Sequence, residues 1–414
     1  MINCFRRYVE TYLSHNVCMT HSPPLIIGAG PVGMAAASFL SRYDIIPRIV
    51  DKRAEPSKFS KALAINPRTL ELFEASGITD KLLALGRKIH GATIHRNGRI
   101  VAEVDFEELE HRFPFMLALS QSATERVLRE DLAERGIEIE RQIELVESPN
   151  LAEGKAELVH VETQANESVT APWILATDGA HSVARKSVHV PFPGDTYDRA
   201  WILDDIPLAT DFAPDRAHIK LQDDGFLFLM PVYTGEEKPG EPTVWRVIGN
   251  YPEPLAQLTE SNPIGESQWN SSFHIAHRLV ESMNVGKVYF AGDAAHLHSP
   301  VGARGMNLGI EDVWVFAELA KRDELSLYHQ QRWPVDNAIV QRIRTITGFV
   351  KAESFIKRTL RNLLAPRMLH WKSVRETMLK TVSGLDHPVP LLNTKPEEPP
   401  AEEGRRSRRR ERNQ

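Results

Sequence analysis

The sequence has few cysteines, no long apolar run and little excess charge, and each shortage excludes a class of protein. Cys4 and Cys18 are the only cysteines in 414 residues. A disulfide framework is therefore excluded, and a reducing, cytoplasmic compartment is expected. No apolar run is long enough to form an integral membrane segment. The formal net charge of −5 gives no reason to expect a nucleic-acid partner.

The remaining composition is that of an ordinary globular protein, with 42% hydrophobic and 25% charged residues. The length suits two or three domains' worth of core in one compact enzyme. Residues 1–22 contain Arg6 and Arg7 but no continuous apolar stretch, so an N-terminal extension is expected and not a secretory signal. From residue 393 the chain is rich in proline, glutamate and arginine, which predicts a disordered tail.

A nucleotide-binding turn is predicted at residues 25–33, LIIGAGPVG. An apolar strand meets Gly28, Gly30 and Gly33 and continues into a helix of small residues. These glycines allow a tight turn, close approach of a pyrophosphate and close packing of the helix on the sheet. A second apolar strand ends at Asp51, about twenty residues on, where a carboxylate can bind a ribose hydroxyl. Asp51 and the adjacent Lys52 are therefore candidate cofactor-binding residues.

A second candidate segment, more than two hundred residues later, is VYFAGDAAHLHSPVGARGMNLGIED at residues 288–312. A short apolar strand ends at Gly292 and Asp293, and a glycine-rich loop then leads into a helix. The carboxylate suits a ribityl or ribose hydroxyl, while backbone N–H groups at the helix start suit a developing negative charge. The turn at residues 25–33 alone does not distinguish NAD from FAD. A distant segment that supplies the other half of the site favours FAD.

As a string, residues 292–312 closely resemble the second FAD-binding motif of the flavin monooxygenases that hydroxylate aromatic rings, a family that includes p-hydroxybenzoate and phenol hydroxylases. The resemblance implies that Asp293 contacts the ribityl chain or the nearby pyrophosphate. It also implies that a set of loop and helix residues lies along the isoalloxazine ring: Pro300, Gly302, Gly305, Met306 and Asn307.

The same resemblance assigns three further residues to the cofactor. Lys61 stands where the family commonly has an arginine beside the flavin, so the charge is kept but the planar fork is not. Gln121 precedes a predicted capping box, Ser122 to Glu125, and matches a glutamine that contacts FAD. Asp178 begins the family's central Asp-Gly motif, where pyrophosphate and nicotinamide meet. The alternative for Asp178 is an ion pair with Arg185 at a helix start.

The predicted fold class is α/β, with a Rossmann-like FAD-binding domain, an inserted mixed or antiparallel substrate sheet and a C-terminal helical region. The FAD-binding domain would comprise residues 23–85, 119–190 and 286–350. The substrate domain would comprise residues 86–118 and 191–285, followed by C-terminal helices at 351–392 and the tail at 393–414. The thioredoxin-like C-terminal domain of phenol hydroxylases is not expected.

The segment at residues 251–268 is short and rich in turns, where relatives usually carry a longer helical insert. We expect it to form part of the substrate-pocket wall. A short wall together with Lys61 would let the enzyme consume NADPH and oxygen faster than it hydroxylates, because the flavin hydroperoxide survives only where water is excluded.

The expected function is hydroxylation of a phenolic or other aromatic small molecule through a flavin C4a-hydroperoxide, with FAD, molecular oxygen and NADPH or NADH, in a monomer or homodimer. Alternatives are an epoxidase or reductase on this fold, or a non-catalytic FAD-binding protein. The catalytic base stays open, since no spacing selects among His218, Tyr233 and Arg246. His296 and His298 have no evident third ligand, so no metal is expected.

Overall fold

The structure is a computed structural model that describes residues 22–57, 62–222, 225–258, 260–351, 371–389 and 392. Several predictions lie outside these ranges: most of the N-terminal extension, Lys61, much of the C-terminal helical region and the tail from residue 393. Within the described ranges no helix is both long and apolar enough to span a membrane.

A six-stranded sheet forms the centre of the fold, in the order β21-β22-β12-β1-β2-β8. Neighbouring strands from β22 to β8 are parallel, and β21 is an antiparallel edge strand. The inner strands are short, fully buried apolar runs, as expected for a sheet covered on both faces. The strands, numbered in chain order, are β1 Leu25–Ile27, β2 Arg48–Asp51, β8 Ile139–Arg141, β12 Ile174–Ala176, β21 Asn284–Val285 and β22 Val288–Phe290.

Helices pack on this sheet and on one another. The described helices are α1 Pro31–Ser41, α2 Pro67–Glu74, α3 Ile78–Leu85, α4 Gln121–Glu134, α5 Val183–Ser187, α6 Gly305–Lys321, α7 Tyr328–Lys351 and α8 Lys372–Ser383. Helix α1 contacts both α4 and α6. Asn66 caps α2 through its side chain, which accepts from Thr69 N. The predicted cap of α4 was wrong by two residues: Ser120 is the N-cap, so Gln121 lies in the first turn.

A larger sheet of eight strands lies beside the first, in the order β18-β14-β17-β16-β15-β5-β6, with β19 on β14. It is antiparallel except where β5 and β15, from distant parts of the chain, pair in parallel. Its strands are β5 Gly91–Arg96, β6 Arg99–Asp105, β14 Trp201–Thr210, β15 Arg216–Leu221, β16 Phe226–Pro231, β17 Val244–Gly249, β18 Ser261–Pro263 and β19 Trp269–Phe273. The predicted α/β class with an additional, mostly antiparallel sheet is confirmed.

The two faces of the eight-stranded sheet carry different apolar clusters. Phe226 and Ile248 point to the inner face, where Val301 from the glycine-rich loop packs with them. Their chain neighbours point to the outer face, where Tyr251 and Leu258 join the cluster. Tyr251 and Leu258 therefore pack on the face turned away from the loop, and a role of residues 251–268 in the wall of the substrate pocket stays a prediction.

Three small sheets complete the described strands. They are β9 Ile143–Leu145 with β10 Lys155–His160 and β11 Asn166–Thr170; β3 Ala64–Ile65 with β7 Met116–Ala118 and β4 Arg87–Ile89; and β13 Gly194–Thr196 with β20 Ala276–Leu279 and β23 His296–Leu297. The last of these contacts α7. In sequence, β13 precedes β14 and β20 follows β19, while β23 follows Asp293. This small sheet therefore connects the eight-stranded sheet to the segment after Asp293.

Candidate functional site

In the glycine-rich turn after β1, two of the three glycines leave no space for a side chain, and the third does. Gly28 has φ +99°, and a Cβ there would lie 2.5 Å from the Thr177 carbonyl oxygen. A Cβ on Gly33 would lie 1.9 Å from the Gly28 oxygen, whereas one on Gly30 would meet nothing within 4 Å. The backbone thus leaves space at Gly30, beside the first turn of α1. This is the position where a phosphate can approach N–H groups at a helix N-terminus.

Asp51 lies next to this turn at the end of β2. One carboxylate oxygen accepts a 2.8 Å hydrogen bond from Ala29 N, and the other accepts one of 2.8 Å from Arg53 N. The carboxylate is therefore oriented by the turn itself. Lys52 differs, because its ammonium group lies 3.3 Å from Glu144 and its side chain is 64% exposed. The structure thus places Lys52 in a surface ion pair and not beside Asp51.

Three arginines around Asp51 were missed by sequence reasoning. Arg53 and Arg141 lie 3.3 and 3.8 Å from the carboxylate. Buried Nη1 atoms of Arg129 and Arg141 have no hydrogen-bond partner within the described structure. Burial lowers the pKa of Arg141 and raises that of the neighbouring Glu125. No spacing signals this group, because the pairing of β8 with β2 brings Arg141 there.

Asp178 follows β12 and accepts hydrogen bonds from the start of the short helix α5, whose N-cap is Ser182. Its Oδ2 accepts hydrogen bonds from Val183 N at 2.7 Å and Ala184 N at 3.1 Å. Its Oδ1 is buried without a partner in the described structure, and burial raises the pKa of the carboxyl. Arg185 does not hydrogen-bond to it. Instead Arg185 donates 2.8 Å bonds to the carbonyls of Ala180 and Ala294, which ties this turn to the segment after Asp293.

Asp293 lies in a single 3₁₀ turn, Gly292–Ala294, directly after β22, and its side chain is exposed. Gly292 has φ +58°, and its N–H donates to Asp312 at 3.1 Å. Since β22, β12, β1 and β2 are parallel neighbours, Asp293, Asp178, the glycine turn and Asp51 follow strand ends at one edge of the sheet. The structure thereby brings the two predicted cofactor segments together.

The loop from Pro300 to Arg304 leads into α6, whose first residue is Gly305. Met306, at the start of the helix, packs against the main apolar core. The side-chain amide of Asn307 is hydrogen-bonded to neighbouring backbone. Its amide accepts from Asn66 N at 3.0 Å and donates to the carbonyls of Ala64 at 2.9 Å and Ala303 at 2.7 Å.

Gln121 also makes internal contacts. It accepts from Ala62 N at 3.1 Å and donates to Glu125 at 2.9 Å. Both amide side chains that the resemblance assigns to the cofactor therefore hold neighbouring backbone in place. A direct contact of either with a cofactor stays a prediction.

A buried cluster of charges, here called the α6–α7 cluster, lies behind this edge. It consists of His296, Glu311, Asp312, Arg332, Asp336 and His387. Arg332 is at its centre, with nitrogens 2.6 Å from Glu311, 2.9 Å from Asp312 and 2.9 Å from Asp336. His296 lies 2.7 Å from Asp312, and His387 lies 2.6 Å from Glu311. All six side chains are buried or nearly so, so each charge is balanced by a direct partner.

The α6–α7 cluster includes a geometry that a metal ion could use, with ligand atoms of His296, Asp312 and Asp336 within 4.8 Å of one another. The guanidinium of Arg332 already bridges the two carboxylates. The negative charge of Asp312 raises the pKa of His296 to about 9 despite burial. Burial and Asp312 raise the pKa of Asp336 to about 7. Arg332 thus already places a positive charge between the two carboxylates, and His298 is not part of this set of ligand atoms.

The three candidate bases in the eight-stranded sheet are engaged differently. His218 is on the outer face, stacked on Phe212 and hydrogen-bonded to Ala213 O at 2.9 Å, so it faces away from the glycine-rich loop. Arg246 forms two 2.7 Å bonds with Asp205. Tyr233 is half-buried, and burial raises its pKa. Neither His218 nor Arg246 is therefore arranged as a base for a ligand beside the loop.

Comparisons with known proteins agree with this arrangement. A family profile described as "FAD binding domain" matches residues 22–343. The 6-methylpretetramide 4-monooxygenase of Streptomyces rimosus is 33% identical over 365 residues, which cover 83% of this chain. The pentachlorophenol 4-monooxygenase of Sphingobium chlorophenolicum is 28% identical over 341 residues, which cover 77%. This chain spans 63% of the length of each of these relatives.

Solved structures share the fold. The p-nitrophenol 4-monooxygenase of Pseudomonas putida DLL-E4 superposes with a TM-score of 0.74 over 87% of this chain and 98% of its own, at 20% sequence identity.

Proposed function

The chain belongs to the family defined by this FAD-binding domain, and from that premise we propose that it is an FAD-dependent monooxygenase. In this proposal it uses NADPH or NADH and molecular oxygen to hydroxylate a phenolic or other aromatic small molecule. Two of the similar proteins bear names of enzymes for substituted phenols, pentachlorophenol and p-nitrophenol, which supports the substrate class.

One observation carries the proposal: two chain segments more than two hundred residues apart meet at one edge of the parallel sheet. In open α/β sheets ligands bind outside the carboxyl ends of the strands. Here the open space at Gly30 and the oriented carboxylate of Asp51 lie on one side of that edge. The exposed carboxylate of Asp293 lies on the other. An extended dinucleotide with a nucleotide half and a ribityl half fits this division.

The residues present suit FAD in type and position. The N–H groups at the start of α1, next to Gly30, would hold the pyrophosphate. Asp51 would accept from the adenosine ribose, and Asp293 would accept from the ribityl chain. The first N–H groups of α6, at Gly305 and Met306, would stabilise negative charge on the flavin edge, since the helix dipole is positive there.

Bound FAD would supply the redox chemistry. NADPH or NADH would reduce the flavin, and oxygen transfer would follow by way of the C4a-hydroperoxide expected from the sequence. The protein's part is to bind, to orient and to exclude water. The inner face of the eight-stranded sheet serves the last purpose, because its apolar cluster closes directly on Val301 of the loop.

Purified protein provides the test. We expect it to be yellow, to release FAD on denaturation and to oxidise NADPH faster when a substrate phenol is added. Mass spectrometry of the product then identifies the reaction. One added oxygen atom on the ring supports hydroxylation, and an epoxide or a reduced product supports the alternative enzymes. FAD binding without NADPH oxidation for any phenol would indicate a non-catalytic protein, and a colourless protein that cannot take up FAD contradicts the proposal.

A further inference from the structure

Two histidines outside the α6–α7 cluster, His277 and His298, have buried ring nitrogens without a hydrogen-bond partner among the described residues. His277 is on β20, and its side chain is 3% exposed. Strands β20 and β23 are antiparallel, with Arg278 opposite Leu297 and Leu279 opposite His296. Continuing this register by one residue places His277 opposite His298. Directly opposite residues point to the same face, with Cβ atoms roughly 5 Å apart, so the two imidazoles are neighbours.

Only one of their four ring nitrogens has a partner among the described residues. His298 Nδ1 lies 2.9 Å from the carbonyl oxygen of Ser299. The other three, His298 Nε2 and both nitrogens of His277, are buried without a hydrogen bond. Buried polar groups are almost always paired in proteins, so three unpaired atoms at one place call for a specific explanation.

The contact with Ser299 defines the tautomer of His298. A carbonyl oxygen can only accept, so Nδ1 carries the proton and Nε2 presents a bare lone pair. Burial lowers the pKa of His298 to about 3 and that of His277 to about 4. The charged groups facing them act on these values too: Arg304 and His296 near His298, and Arg344 and Asp195 near His277. Both rings are therefore neutral at physiological pH.

The pair lies where the glycine-rich loop meets the inner face of the eight-stranded sheet. A Cβ on Gly305, the first residue of α6, would lie 3.9 Å from His298 Cε1. The ring of Tyr197 lies 5.2 Å from that of His277 and packs on the same apolar cluster as Val301. Trp201, a member of that cluster, has a buried indole N–H that is also without a partner among the residues the structure describes.

We propose that His298 and His277 form the polar end of the substrate pocket and bind one neutral hydroxyl group of the substrate. The O–H group donates to His298 Nε2, and the same oxygen accepts from an N–H of His277. A hydroxyl is both donor and acceptor, which matches a bare lone pair beside a neutral imidazole. A carboxylate or phenolate could not donate to Nε2. The assignment rests on the proposed function and narrows its substrate class to hydroxylated rings bound in neutral form.

Two substitutions at His298 separate ligand binding from structure. His298→Asn keeps a donor near the Nδ1 position for Ser299 O but removes the acceptor. His298→Gln keeps an acceptor near the Nε2 position but loses the bond to Ser299. The exposed neighbour His274 supplies a matched control, His274→Asn. The probes are 2-naphthol and its methyl ether, titrated into the FAD-loaded proteins and followed by the change in flavin absorbance.

We expect His298→Asn to bind 2-naphthol about 10- to 100-fold more weakly, with the methyl ether, the FAD affinity and the melting temperature little changed. His298→Gln should retain most of the 2-naphthol affinity, and His274→Asn all of it. Equal weakening of both probes, or wild-type affinity of His298→Asn for 2-naphthol, would overturn the assignment and leave the proposed function intact. If the wild-type holoenzyme binds neither 2-naphthol nor any other phenol, the proposed substrate class fails, and this assignment with it.

Discussion

Two regions of the molecule contain several carboxylates: the strand-end edge, which includes Asp293, and the α6–α7 cluster, which includes Asp312. They differ in the partners and the solvent exposure of these carboxylates. At the strand-end edge, Asp51 accepts from backbone N–H groups and lies beside two arginines, and Asp293 is exposed. In the α6–α7 cluster, Glu311, Asp312 and Asp336 share one guanidinium and are closed off from solvent.

The difference shows that residue type does not separate a binding site from a structural cluster. Of the carboxylates proposed to bind the cofactor, Asp51 is oriented by backbone N–H groups and Asp293 is exposed. Each carboxylate of the α6–α7 cluster is paired with the charged side chain of Arg332, because a buried charge without a partner is costly. Removing a cluster residue should therefore act on folding, and removing an edge residue should act on cofactor binding.

The largest effect is expected from Arg332→Ala. It leaves three carboxylates buried around an empty position, and breaking such a network costs about 3–5 kcal/mol. Urea unfolding of the apoprotein measures this loss. The partly exposed Arg322, which pairs with Glu318 at 3.4 Å, is the control, and Arg322→Ala should cost less than about 1 kcal/mol. Similar losses for the two variants would contradict the assignment of the cluster as a structural core.

The next effect is on pH dependence. The pKa of His296 rises from about 6.5 in the unfolded chain to about 9 in the folded protein. A raised folded pKa contributes stability that is complete below pH 6.5 and is lost as the pH rises towards 9, by up to about 3 kcal/mol. Burial and Asp312 also raise the pKa of Asp336, to about 7. Its contribution to stability is likewise lost as the pH rises, but this loss is nearly complete once the pH has passed about 7.

The variant His296→Gln isolates this contribution, because glutamine can still donate to Asp312 but cannot take up a proton. Unfolding free energies between pH 7 and 9 should fall less steeply in the variant than in the wild type. His387, whose pKa is also raised by its acidic partners, keeps part of the slope in both proteins. Parallel curves would show that His296 is neutral in the folded state.

At the strand-end edge, Asp293→Ala should weaken FAD binding by about 1.5–3 kcal/mol, the contribution of a hydrogen bond to a charged acceptor. Asp178→Ala should weaken it less, but should lower the stability of the apoprotein by about 1 kcal/mol because two N–H groups in the first turn of α5 lose their acceptor. Titration of FAD into both apoproteins, paired with unfolding curves, tests the division. Equal FAD affinities would reject it.

The smallest effect is expected from Lys52→Ala. Its ion pair with Glu144 is exposed on both sides, and such pairs contribute little. FAD affinity should stay within about twofold of the wild type, and stability within about 0.5 kcal/mol. A marked loss of FAD affinity would return Lys52 to the cofactor site, where the sequence placed it.

The strand-end edge was largely predictable because its residues belong to short motifs with fixed spacing, as at Gly28 to Asp51 and at Gly292 to Gly305. The α6–α7 cluster was not, because Arg332 and His387 reach it through tertiary packing that leaves no local pattern. Asn307 shows a further limit: its motif position is clear, yet its amide is used by the backbone of Ala64 and Asn66.

The strand order of the central sheet also has a consequence for how the chain is made. Strand β22 pairs with β12, and β12 pairs with β1, so strands more than 250 residues apart in sequence are separated by a single neighbour. The ribosome delivers the glycine turn first and Asp293 last. Until residues 288–312 emerge, β12 has an unpaired edge and the nucleotide turn has no opposite half. We therefore expect FAD to bind late in synthesis. Before that, the exposed edge of β12 in the nascent chain must be kept from aggregating.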